Sequence, residues 1–141
     1  MSCVLGFDFG NRRIGVAVGQ SITGSASPVE VVSQGEQGPD WGRIDALVRE
    51  WRPERLLVGL PLTLDGGEQS ITASARAFAD CASSRYDLPV EMVDERFSSQ
   101  EADRRFAELR KSGLARRRDA ARLDALAAQI IVEQWLQANS G

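Results

Sequence analysis

The chain has 141 residues, of which 43% are hydrophobic and 26% charged, the size and composition of one folded domain spanning residues 1–141. Its net charge of −3 excludes a uniformly basic protein that coats nucleic acid, and the absence of histidine excludes a Ser-His-Asp triad, a Cys-His pair and a His-ligated zinc site. No apolar run approaches the roughly 20 residues of a membrane span. The N-terminal MSCVLGFDFG lacks the basic flank and cleavage pattern of a secretory signal. Two isolated cysteines, Cys3 and Cys81, fit a reduced, cytoplasmic protein.

Taken in chain order, residues 3–9 read as a first strand, and Gly10–Arg13 as a tight turn in which Gly10 and Asn11 tolerate positive φ. Residues 14–19, IGVAVG, alternate strictly: Ile14, Val16 and Val18 fall on one face and Gly15, Ala17 and Gly19 on the other. The second face is small enough for another element to pack closely. A third strand is expected over 27–32, and the short loops imply an antiparallel meander. SQGEQGPD at 33–40 reads as a loop with Asp40 as a helix N-cap, and a helix follows over 41–51 with Ile44, Leu47, Val48 and Trp51 at helical spacing. Pro53 stops it. RLLVGL at 55–60 is a buried parallel strand, 61–70 a polar loop, 69–84 an Ala-rich helix and 89–95 a fifth strand ending in acids. Ser98 and Glu101 form a capping box for a helix to about Lys111. A basic loop and a final helix from about Asp119 to Gln137 complete the order βββαβαβα. This is an α/β fold with a five-stranded mixed sheet, a three-strand antiparallel meander plus two parallel strands, flanked by helices.

Three acids stand out. Asp8 interrupts the apolar run Val4–Phe9 on a central strand, where an unpaired carboxylate costs several kcal/mol. It must be paired, with Arg12 or Arg13 as the simplest partner, or protonated, or bound to a metal. Asp94 and Glu95 end the fifth strand, at the sheet edge where open α/β folds bind ligands. They are consecutive and point to opposite faces. Asp124 leads a stripe of Ala127, Ala128, Ile131 and Trp135 on the last helix, while Asp119 is the better cap. Three carboxylates converging without histidine suit Mg²⁺ or Mn²⁺, and a pair of such ions supports phosphodiester hydrolysis. Phosphate-binding charge is also present. Arg104, Arg105, Arg110, Lys111, Arg116, Arg117, Arg118 and Arg122, against Glu108 and Asp119, give 8 − 2 = +6 over residues 104–122.

The blocks FDFGNRRIGVAVG, VGLPLTLDGGEQS, VDERFSS and RLDALAAQIIVEQWL together resemble the signature of the YqgF (RuvX) family, in the same order and over nearly the whole chain. The resemblance implies an RNase H-like fold and a cytoplasmic, Mg²⁺- or Mn²⁺-dependent nuclease that processes the 5′ end of precursor 16S rRNA. It maps the family's metal-binding, catalytic acids onto Asp8, Glu95 and Asp124, so Glu95 is preferred to Asp94. It also maps the DER arginine, a nucleic-acid contact, onto Arg96, and a site-flanking loop onto Gly59–Leu62. Asn11 where Thr is common, and ERFSS for ERLT, are modest departures. Structured RNA and precursor ribosomal particles are the implied partners, with the protein a monomer or a weak homodimer. Three other readings compete. A Holliday-junction resolvase would cut DNA with the same chemistry. A non-catalytic RNA-binding assembly factor would use residues 104–122 alone. A nucleotide-binding module of the actin type would need two such domains.

Overall fold

The computed structural model describes residues 3–10, 12–60, 70–94 and 120–139. Six strands form one sheet, β1 (Cys3–Phe9), β2 (Arg13–Gln20), β3 (Ser25–Gly35), β4 (Gly38–Pro39), β5 (Arg55–Leu60) and β6 (Val90–Asp94), in the order β4-β3-β2-β1-β5-β6. The meander is as expected: β1 pairs antiparallel with β2, and β2 with β3, while β1–β5 and β5–β6 are parallel. The helices are α1 (Trp41–Trp51), α2 (Ser70–Tyr86) and α3 (Ala120–Asn139). The helix expected over 98–111 and its capping box lie outside the described residues. Among the described residues, no helix is long and apolar enough to cross a membrane.

The strand count corrects the expectation of five. β3 runs on through Ser33, Gln34 and Gly35, which read as loop residues, because Gly38 at φ 98° folds the chain back beside it. Gln34 then pairs with Pro39 and Gly35 with Gly38. Pro39 is tolerated because β4 is the edge of the sheet. β3 also begins two residues before the expected start. It keeps Pro28 through a register shift, Val16 facing Glu30 and Ala17 facing Pro28.

Helix α1 matches its predicted bounds. The Asp40 side chain accepts from the Arg43 amide at 3.2 Å, and Arg52, in the left-handed region at φ 48°, closes the C-terminus before Pro53. Ile44 and Leu47 are its buried face. Helix α2 runs two residues past the expected end, where Arg85 and Tyr86 reach across to α1. Arg85 Nε and Nη2 each donate to the Asp45 carboxylate at 2.7 Å, and the Tyr86 hydroxyl donates at 2.6 Å. The bidentate Arg85 contact and then the Tyr86 hydrogen bond hold the Asp45 carboxyl well below the usual carboxylate range. Because the Asp45 side chain is still 31% exposed, the network is worth little in absolute terms. Asp45→Asn is expected to lower the melting temperature by about 3 °C at neutral pH. A folded-state pKa below the unfolded value of about 3.9 contributes stability that is full above that value and is lost as the pH falls on through the lower, folded-state pKa. The gap between parent and variant in melting experiments therefore closes in acid.

The sheet separates two apolar clusters. Leu5, Phe7, Phe9, Ile14, Val16, Val18, Leu56 and Val58 pack beneath α1 and α2, with Phe78 of α2 edge-on to Phe7 at 5.4 Å. On the other face Val4, Ala17 and Leu57 meet Ala128, Val132 and Leu136 of α3. The small face read from IGVAVG is the seat of α3. A Cβ on Gly6 would strike the Val132 side chain, and one on Gly19 would meet Val132 and lie 3.1 Å from Leu136. Gln129 fastens α3 to the sheet by donating to the Ala26 carbonyl at 3.2 Å, and the Trp135 indole donates to Glu91 at 2.6 Å.

Candidate active site

Asp8 is half-buried near the C-terminal end of β1. Its neighbours Phe7 and Phe9 are buried on the α1–α2 side. Alternation therefore puts Asp8 with Val4 and Gly6 on the α3 side. Its cross-strand partner is Gly15. On the other flank, Phe7 pairs with Val58, so Gly59 stands level with Asp8, and Gly59 in turn pairs with Val93 of β6. Asp8 thus projects between two residues that have no side chain. Either apolar neighbour typical of a central strand would have covered it. The Gly15 half of this arrangement was visible in the alternation of β2. The Gly59 half needs the parallel register and could not be read locally.

The C-terminal half of α3 lies over the start of β1 and its earlier turns over the end. Val132 and Leu136 sit at Gly19 beside Val4, whereas the Ala128 carbonyl is 3.7 Å from the Cβ position of Gly6. From Gly6 to Asp8 is about 6.6 Å along the strand. From Ala128 back to Asp124 is about 6 Å along the helix. The backbone at Asp124 is thus one turn beyond Ala128, in the direction of Asp8. The side chains of Asp124 and Arg122 lie outside the described residues. So do Asp119, Glu95, Arg96, Arg104, Arg105, Arg110, Lys111, Arg116, Arg117, Arg118 and the continuation of the Gly59 loop to Leu62. Asp94 ends β6, paired with Leu60. Of the three acids expected to bind metal, Asp8 alone has a described side chain. Among the described residues no group of three or more His, Cys, Asp or Glu could hold a metal ion.

The turn after Asp8 differs from the expectation in one respect. Gly10 has no positive φ. It is required by crowding instead, since a Cβ there would lie 2.7 Å from the Arg13 carbonyl oxygen. Arg13 opens β2 on the same face as Gly15 and hence as Asp8.

The architecture is that of an RNase H-like fold. The solved RuvC of T. thermophilus in complex with a Holliday junction substrate superposes with a TM-score of 0.58 and 22% identity, covering 99% of this chain and 98% of that one. A second structure of Thermus thermophilus RuvC gives 0.55 and 23%, covering 96% and 95%. The chain belongs to the RuvX family, whose description is Holliday junction resolvase and whose model matches residues 2–138. A relative from Xanthomonas oryzae pv. oryzae (strain PXO99A), named "Putative pre-16S rRNA nuclease", is 53% identical over 135 residues, 96% of this chain and 87% of that protein. The protein of the same name from Xanthomonas axonopodis pv. citri (strain 306) is equally similar.

Proposed function

We propose that this chain is a single-domain, metal-dependent endonuclease that hydrolyses phosphodiester bonds in the 16S rRNA precursor, with Asp8, Glu95 and Asp124 as its metal-binding carboxylates. The observation that carries the reading is Asp8 itself: a half-buried carboxylate between Gly15 and Gly59, at the edge where β1, β5 and β6 end together. Two backbone arguments support its partners. Helix α3 steps from Ala128 toward Asp8, and one turn further is position 124. On β6, Val93 shares the α3 face, with Glu91 bonded to Trp135 on that side, while Met92 packs on the other. The acid in step with Glu91 and Val93 is Glu95, and Asp94 is out of step.

The donor set fits hard divalent cations: carboxylate oxygens, no imidazole and no thiolate nearby. When bound, one or two Mg²⁺ or Mn²⁺ ions would supply Lewis-acid activation of the phosphate and of the attacking water. The protein's own contribution is to hold Asp8 rigidly, its strand paired on both sides and its neighbours Gly15 and Gly59 without side chains. The basic segment 104–122 would draw the RNA in.

The relatives' names favour RNA, and the family's description favours junction DNA as the second reading. The deciding experiment presents a precursor 16S RNA fragment and a four-way DNA junction to the same preparation, with Mg²⁺, with Mn²⁺ and with EDTA. Cleavage of the RNA alone, abolished by EDTA, is expected. Symmetrical cutting of the junction by a dimer would replace the proposal with the resolvase reading. Salt-sensitive RNA binding without cleavage in either metal would leave only an assembly factor.

A further inference from the structure

The turn joining β1 to β2 carries two exposed arginines at the edge where Asp8 stands. Arg12 is in the bend and Arg13 is the first residue of β2. Three arginines in this fold have structural work: Arg43 pairs with Glu30, Arg85 with Asp45, and Arg55 with Glu91 while lying over Trp135. The Arg12 side chain has no ion pair or hydrogen bond of this kind among the described residues. Its main chain, by contrast, is firmly held. The Gly10 amide donates to the Arg13 carbonyl at 3.0 Å, and the Gln34 amide donates to the Arg12 carbonyl at 2.9 Å. The Gln34 side chain donates to the Gly10 carbonyl as well. One residue of β3 therefore holds both flanks of the turn, and Gly10 is crowded against the Arg13 carbonyl. Arg13 stands on Asp8's face, diagonal to it across the β1–β2 ladder, about 7–8 Å away between Cα atoms.

We infer that Arg12 and Arg13 bind backbone phosphates of the strand being cut, next to the bond at Asp8, and that Gln34 is the positioning residue that fixes their turn. This rests on the reading of Asp8 as catalytic. A guanidinium presents a planar fork that matches a phosphate. A turn already locked by three hydrogen bonds loses little further freedom when it binds. The two arginines belong to the β1–β2 turn and not to the basic segment 104–122.

The test measures the Kd for a precursor 16S RNA fragment in EDTA, where no cleavage occurs, across a salt series. The Arg12→Gln/Arg13→Gln double variant is expected to bind about tenfold or more weakly. The slope of log Kd against log salt should fall by about 1.4–1.8, the loss of two phosphate contacts. Lysine at both positions should restore the slope but not the full affinity. Gln34→Ala should keep the parent slope and bind more weakly, because the charges remain and only their placement is lost. Arg52→Gln is the control, since Arg52 is exposed at the opposite edge, where Glu54 bonds to the start of β1. A double variant with parental Kd and slope overturns the inference. Asp8→Asn run in parallel separates the two claims: if it still cleaves, the catalytic reading fails, while the salt slopes still decide the role of the arginines.

Discussion

Asp8→Asn is expected to reduce RNA cleavage by at least about 10³-fold, roughly 4 kcal/mol of transition-state stabilisation, while the protein stays folded. Asparagine keeps the size of the side chain and one carbonyl oxygen, so the space between Gly15 and Gly59 is filled as before. What it removes is the charge. Because asparagine keeps the volume and a hydrogen-bonding oxygen, the metal-free variant should melt within about 3 °C of the parent temperature. Single-turnover cleavage and a thermal melt on one preparation check both halves. On the proposed site, Glu95→Gln should behave as Asp8→Asn does, and Asp94→Asn should retain activity within a few-fold, since strand alternation continued from Glu91 and Val93 would reach position 95 and not 94. Parental cleavage by a folded Asp8→Asn protein would end the carboxylate mechanism.

Gly6→Val is expected to be the most damaging substitution away from the acids. Already the first carbon of a side chain at Gly6 would collide with the Val132 side chain, and the Ala128 carbonyl is 3.7 Å away. Neither β1, paired on both sides, nor the collision partner, buried in the second core, can yield cheaply. Overpacking of this kind costs about 2–3 kcal/mol, so a melting temperature lower by about 6–10 °C is expected. Helix α3 carries Asp124, so a displaced helix should also cost activity beyond the loss of folded protein. Gly6→Ala with Val132→Ala is the diagnostic pair: each alone destabilises, one by crowding and one by leaving a void, and together they should recover part of the loss. Simple additivity would place the damage elsewhere than the seam between β1 and α3.

Where local rules act, the sequence was legible. Asp40, the Ile44–Leu47 spacing and Pro53 delimit α1 to the residue, because cap, apolar stripe and stop are all encoded within fourteen positions. The alternation of residues 14–19 gave both the strand and the small face on which α3 rests. What was missed depends on distant partners. Gly38 and Pro39 carry every mark of a turn, and they count as a strand only because Gln34 and Gly35 lie alongside. The end of α2 is set by an aspartate forty residues earlier in the chain. For the site, Asp8 was conspicuous as the one carboxylate in an apolar run. That Gly59 stands beside it follows only from the parallel register of β1 and β5. The positive-φ explanation of Gly10 failed because crowding, not handedness, demands glycine there.

The order of the elements along the chain also sets a timetable. β1 gains its parallel neighbour β5 only after some fifty further residues, and the helix that covers its other face is the last described element. During synthesis Val4, Ala17 and Leu57 therefore face water until α3 has emerged, and a chain halted before residue 120 presents a bare apolar face that invites aggregation. On the proposed site, Asp124 joins Asp8 at that same moment. If Asp124 completes that site, a nascent chain still tethered to a ribosome and surrounded by rRNA lacks one of its three acids until this helix has emerged.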